Sequence, residues 1–224
     1  MQLKLTGLEQ RIVGALAEKE LTTPEYYPLT LNALVAACNQ KSNRDPEMRL
    51  TDEEVSRGVS ELQYEKKLVG SFSGAGARAV KYTHRLSETL GLERPELAVL
   101  SELLLRGPQT AGELRGRASR MHPFVSPAEV RVVLDGLAAR SPDPYVVELP
   151  RAAGCKENRF AHALGDAPVA EVGAEAGAEA GAVGVGVEQG RGPEAGRGLV
   201  DEERIRALEE RVASLEARMA VWES

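Results

Sequence analysis

Lys81-Tyr82-Thr83-His84-Arg85-Leu86 returns near the end of the patterned sequence as Arg159-Phe160-Ala161-His162-Ala163-Leu164. Each phrase reads basic, aromatic, any residue, His, any residue, Leu. Working back from each, a first β-prone run precedes it, Leu68 to Phe72 in one copy and Tyr145 to Leu149 in the other. Before those runs come stretches with helical apolar spacing: Leu8, Ile12 and Leu16, then Val55, Val59 and Leu62, and in the second copy Leu97, Leu100 and Leu104, then Val130, Leu134 and Leu137. A shorter helix carrying Leu31, Leu34, Val35 and Cys38 begins near Thr30, and its counterpart opens at Thr110 with Leu114 and Ala118. Three helices and a hairpin, written twice, predict two tandem winged-helix domains, residues 1–90 and 91–164, in a mostly α fold with small β-hairpins (α+β).

The helix starts are marked by capping boxes, in which a Ser or Thr side chain accepts from the N3 amide while an acid at N3 reaches back. Thr6 with Glu9, Thr51 with Glu54, Thr110 with Glu113 and Ser126 with Glu129 all have this spacing, and Pro127 stands at N1, where a missing N–H costs nothing.

The net charge of −6 is misleading until it is divided along the chain. Residues 1–90 carry 12 basic and 12 acidic side chains, residues 91–164 carry 10 and 9, and residues 165–224 carry 6 and 13. The acidity therefore belongs to the tail, and only local patches on the near-neutral repeats bear on a polyanionic partner. Cys38 and Cys155 give neither a disulfide framework nor metal-ligand spacing, which fits a reducing cytoplasm. No stretch approaches the roughly 18–20 apolar residues of a membrane span, so no membrane association is expected.

The repeat also disciplines the histidines. His84 and His162 occupy the same place in both copies with no nucleophile or carboxylate motif beside them, so a structural hydrogen bond is favoured over catalysis. The Gly-rich segments around Gly74 and Gly190 lack the Lys-Ser/Thr ending of a phosphate loop. No catalytic, cofactor or metal residue is expected, and the chain reads as non-enzymatic.

Tyr27-Pro28-Leu29-Thr30-Leu31-Asn32-Ala33-Leu34, Ala37-Cys38-Asn39-Gln40-Lys41-Ser42-Asn43-Arg44, and Leu103-Leu104-Leu105-Arg106-Gly107-Pro108-Gln109-Thr110 closely resemble the bacterial YceH family over about residues 5–164. The resemblance implies a tandem winged-helix fold in a bacterial cytosolic protein, and implies no reaction. Leu86 departs from it, standing where an aromatic residue is expected, as does the long Ala/Gly insert before the C-terminal segment.

Acids at the start of the first copy's third helix, Asp52, Glu53 and Glu54, suit the helix dipole but repel phosphate, which disfavours base reading by that helix. Candidate nucleic-acid contacts lie elsewhere: Lys41, Asn43 and Arg44 after the second helix, Arg115, Arg117 and Arg120 in the equivalent place, and Arg78, Lys81, Arg151 and Lys156 in the hairpins. Weak, salt-dependent binding to double-stranded DNA is the expected use of such charges. Two other readings stand beside it. The Asn39 to Arg44 segment serves equally as a polar network holding a turn, and the whole repeat serves equally as a protein-docking adaptor, similar in architecture to kleisin-binding subunits.

Residues 165–198, rich in Ala, Gly, Val and Glu, read as a flexible linker. Residues 199–224 carry Ile205, Leu208, Val212, Leu215, Met219 and Trp222 in a heptad register, with Arg204, Arg211 and Arg218 at g and Glu209, Glu216 and Glu223 at e. That charge order favours a parallel coiled-coil homodimer over an antiparallel one; the alternative is a single amphipathic helix folding back on the repeats.

Overall fold

In the computed structural model, which describes residues 3–73, 79–151, 154 and 156–165, Thr6 opens the first helix, α1 (Gly7–Thr22). Its hydroxyl accepts from the Glu9 amide while the Glu9 carboxylate accepts from the Thr6 amide at 2.7 Å. A single 3₁₀ turn, Pro24–Tyr26, leads into a two-residue strand, β1 (Leu29–Thr30), and Thr30 caps α2 (Leu31–Cys38). The Thr51–Glu54 box starts α3 (Asp52–Tyr64). The hairpin β2 (Val69–Phe72) and β3 (Lys81–His84) follows, with Val69 opposite His84 and Phe72 opposite Lys81. β1 adds to its other edge, so the sheet is antiparallel in the order β1-β3-β2.

A short helix, α4 (Leu86–Leu90), leads to the second copy. Its helices are α5 (Arg94–Arg106), α6 (Ala111–Ala118) and α7 (Pro127–Ala138), and its hairpin is β4 (Val146–Glu148) with β5 (Phe160–His162). Val146 stands opposite His162, the same pairing that Val69 makes with His84. The strand that β1 contributes to the first copy is reduced here to one bridge between Gln109 and Phe160. The Thr110–Glu113 box is formed on both sides. At Ser126 only half of the expected box forms. The Ser126 hydroxyl accepts from the Glu129 amide, but the Glu129 carboxylate accepts from the Val125 amide instead, at 2.7 Å. One capping acid carries no Ser or Thr signal: Glu96 accepts from the Glu93 amide at 2.9 Å.

The two first helices occupy the centre. Arg11 to Glu18 in α1 and Leu97 to Leu105 in α5 are unbroken runs of buried residues, the pattern of helices covered on every side. The helices pack closely where α1 has no side chain: a Cβ on Gly14 would lie 3.1 Å from Leu105 Cγ and 3.2 Å from Leu104 Cβ. Residue 90 thus divides a sequence repeat, while the buried side chains on either side of it form one cluster. The repeats are also tied at their ends, where the Leu5 amide donates to the Leu164 carbonyl at 2.7 Å.

Candidate nucleic-acid interface

The loop after α2 bends at Asn43, whose φ of 59° is in the left-handed region that Asn tolerates. The bend turns Arg44 inward. Its guanidinium is fully buried, 2.5 Å from Glu18 Oε2 in α1, and it also donates to the Ala37 carbonyl that the end of α2 leaves open. From the other repeat, Arg120 reaches the same Glu18 through Oε1 and donates to Glu102 Oε2 of α5 at 3.1 Å. Both carboxylates are fully buried. Burial by itself pushes the Glu18 carboxyl up, and the hydrogen bonds and charges of Arg44 and Arg120 more than offset it, holding the group below the ordinary carboxylate range.

This network reassigns several cations. Arg44 is no surface cation, and Arg120 is half-buried and committed to two acids. Arg117 donates to Gln109 Oε1 at 2.9 Å and lies near Glu113. Asn43 accepts from Arg106 at 3.0 Å. Asn39 spans the rest of the turn, donating to the Leu50 carbonyl and accepting from the Leu50 amide, both at 2.8 Å. The Asn39 to Arg44 segment is therefore a turn-holding polar network. Sequence spacing could not separate Arg44 from its neighbour Lys41, because the distinction rests on the backbone sign at Asn43 and on a carboxylate many residues away.

Lys41, Lys81, Arg115, Arg151 and Lys156 are exposed and join none of the ion pairs among the described residues. Arg78 lies outside the described residues, as do the heptad residues Ile205, Leu208, Val212, Leu215, Met219 and Trp222. The third helices present little to a base edge. α3 exposes Asp52 and Glu53 at its start, whereas α7 exposes Ala128 and Val132, with Arg131 paired to Asp135 and Glu148.

The paired histidines differ in detail. His84 Nδ1 accepts from the Leu86 amide at 3.1 Å, which places its proton on Nε2, 2.6 Å from Glu20. Its own amide donates to the Tyr27 hydroxyl at 2.7 Å. The His84 imidazole, chief among several causes, holds the Glu20 carboxyl below its usual range. Leu86, where an aromatic residue was expected, is fully buried.

His162 lacks such partners, and burial pushes its imidazole down to about 4. Between that value and 6.5 the unfolded chain takes up the proton and the folded chain does not, so this group makes stability fall as pH falls through that window. An NMR titration should find the His162 ring resonances flat from pH 8 to 5; a midpoint near 6.5 contradicts the burial. Cys38 is fully buried, its thiol pushed up to about 12 by burial. No cluster of metal-ligating side chains occurs among the described residues. No described helix is long and apolar enough to cross a membrane.

Residues 5–155 match the family described as "Protein of unknown function, DUF480". The chain belongs to that family. Among its bacterial relatives, a UPF0502 protein of Geobacter metallireducens is 50% identical over 212 residues, covering 94% of this chain and 89% of that one. One from Geobacter sulfurreducens is 55% identical over 168 residues, 75% of each chain. A third, from Opitutus terrae, is 53% identical over 161 residues, 72% of this chain and 70% of the relative. The expectation of an uncharacterised bacterial family is thus met by DUF480. The match ends at residue 155, within the second hairpin loop, so it takes in the ionic junction and most of both repeats.

Proposed function

We propose that this DUF480 protein is a non-catalytic, cytoplasmic tandem winged-helix protein that associates with double-stranded DNA through phosphate contacts. The observation that carries the reading is the division of labour among its cations. Arg44 and Arg120 are spent on the junction between repeats, while Lys41, Arg115, Lys81, Arg151 and Lys156 remain exposed after the second helices and in the hairpins. Such cations release counterions without reading sequence. The acidic start of α3 repels phosphate, and Arg131 on α7 is already paired with Asp135 and Glu148, which disfavours base reading by either helix. The heptad over residues 199–224 adds a parallel homodimer to the proposal and with it two copies of each cationic site.

In anisotropy titrations with a labelled duplex, Lys41→Gln with Arg115→Gln should weaken binding about equally for unrelated sequences and flatten the salt dependence by about two units of log slope for each protomer that contacts the duplex. Arg131→Gln, whose charge is already paired, should leave both unchanged. Equal affinity of the double variant and the parent protein would overturn the assignment.

The second reading, a protein-docking adaptor, is favoured by one feature. Val125 and Val132, before and on α7, are 82% and 72% exposed. Affinity capture that returns a stoichiometric protein partner, insensitive to nuclease and lost in Val132→Asp, would select it.

A further inference from the structure

The two hairpins pair alike, so each serves as a control for the other. With Val69 opposite His84 and Val146 opposite His162, alternation assigns Val69, Ser71, Tyr82 and His84 to the inward face of the first hairpin. Val69 and His84 are buried there, and Ser71 accepts from Gln63 of α3 at 3.0 Å. The outward face carries Gly70, Phe72, Lys81 and Thr83.

On the second hairpin the matching positions are closed. Leu149 stands where Phe72 does and is 5% exposed, and Ala161, matching Thr83, is 2% exposed. On the first hairpin Phe72 is 60% exposed, directly across from the exposed Lys81. Arg85 extends the face. A Cβ on Gly70 would lie 3.1 Å from its Nε and 3.5 Å from its Nη2, so the bare glycine is what lets the guanidinium lie along the strand. Its counterpart in the second repeat is Ala163. Among the described residues neither Lys81 nor Arg85 has a carboxylate partner, and no acid belongs to this face.

An open aromatic ring flanked by two unneutralised cations and a hydroxyl is a surface for an unpaired base and its adjoining phosphates. A hydrophobic protein partner would leave both charges unmatched, whereas a polyanion with π-faces matches ring and charges together. We propose that the outward face of the β2–β3 hairpin is a stacking platform for single-stranded DNA, with one base on Phe72 and its phosphates at Lys81 and Arg85. The proposal rests on the nucleic-acid reading above and adds a preference for unpaired strands that phosphate contacts alone do not give.

The test is anisotropy with the full-length protein and three labelled probes: oligothymidylate, oligouridylate and a duplex of mixed sequence. Phe72→Ala should weaken oligothymidylate binding about tenfold, leave the duplex nearly unchanged, and be rescued by Phe72→Trp. Arg85→Gln should lower the single-strand salt slope by about one unit. Because Phe72 is exposed, its replacement leaves the core intact. If oligothymidylate binds Phe72→Ala as tightly as the parent protein, or if only the duplex binds, the platform is overturned while the proposed function stands. Oligouridylate bound tenfold tighter than oligothymidylate overturns the choice of DNA. If no probe binds at low salt, both proposals fall.

Discussion

Replacing Arg44 with methionine should destabilise the protein by about 3–5 kcal/mol, the usual cost of leaving a buried charge without its partner. The substitution keeps most of the volume but strips Glu18 of its 2.5 Å contact and leaves the Ala37 carbonyl without the two bonds that cap α2. Arg120 is then the only ion-pair partner left to Glu18 among the described residues, while it still shares Glu102 with Arg106. Chemical denaturation at pH 7 measures the loss, and its pH dependence identifies the cause. In the parent protein the Glu18 carboxyl is held below its unfolded value, so its contribution is present above about pH 4.5 and disappears as pH falls through the folded value. Without Arg44 burial raises the carboxyl, the folded variant takes up the proton before the unfolded chain does, and its deficit relative to the parent should shrink as pH falls. A loss under 1 kcal/mol, or an unchanged acid limb, would mean that the network contributes little. The companion change Glu18→Gln with Arg44→Met should cost less than Arg44→Met alone, because it removes the stranded charge.

Leu105→Ala should cost about 2–5 kcal/mol, as expected for truncating a fully buried leucine. Its location makes the result diagnostic. Leu105 of α5 lies against Gly14 of α1, so the cavity opens between the two repeats rather than within either. Since the buried residues of both halves form one cluster, denaturation should remain a single transition shifted as a whole, by probes reporting on either half. Adding Gly14→Ala, which places a methyl where Leu105 withdrew, should recover part of the loss even though Gly14→Ala alone crowds the contact. Two separated transitions, or additive losses, would contradict a shared core.

These two positions also mark what the sequence conveys and what it withholds. Helix starts at Thr6, Thr51 and Thr110 are legible because a capping box is local, written in four consecutive residues. The hairpins are legible through the repeated basic-aromatic-His phrase. The fusion of the repeats is written less openly, in the unbroken burial of Arg11–Glu18 and Leu97–Leu105. Glu18 and Glu102 sit inside those runs, where a helical polar residue reads as solvent-facing unless its partners are known, and Arg44 and Arg120 come from loops far along the chain. For the same reason Arg44 and Lys41 read as equal members of one basic patch, although one holds the interior together and the other faces solvent. Phe72 was legible as a strand residue; its outward direction required the register of the hairpin.

The junction commits Arg44 and Arg120 to buried carboxylates and leaves Lys41, Lys81, Arg115, Arg151 and Lys156 exposed, as the proposed DNA association requires. The most direct measurement of the resulting function is the affinity of the full-length protein for a labelled DNA duplex across a salt series. Binding at low salt should fall linearly on a log–log plot, with a slope reduced by the Lys41→Gln and Arg115→Gln pair and nearly independent of duplex sequence. An affinity insensitive to salt, or absent at the lowest salt, would contradict the proposed DNA association.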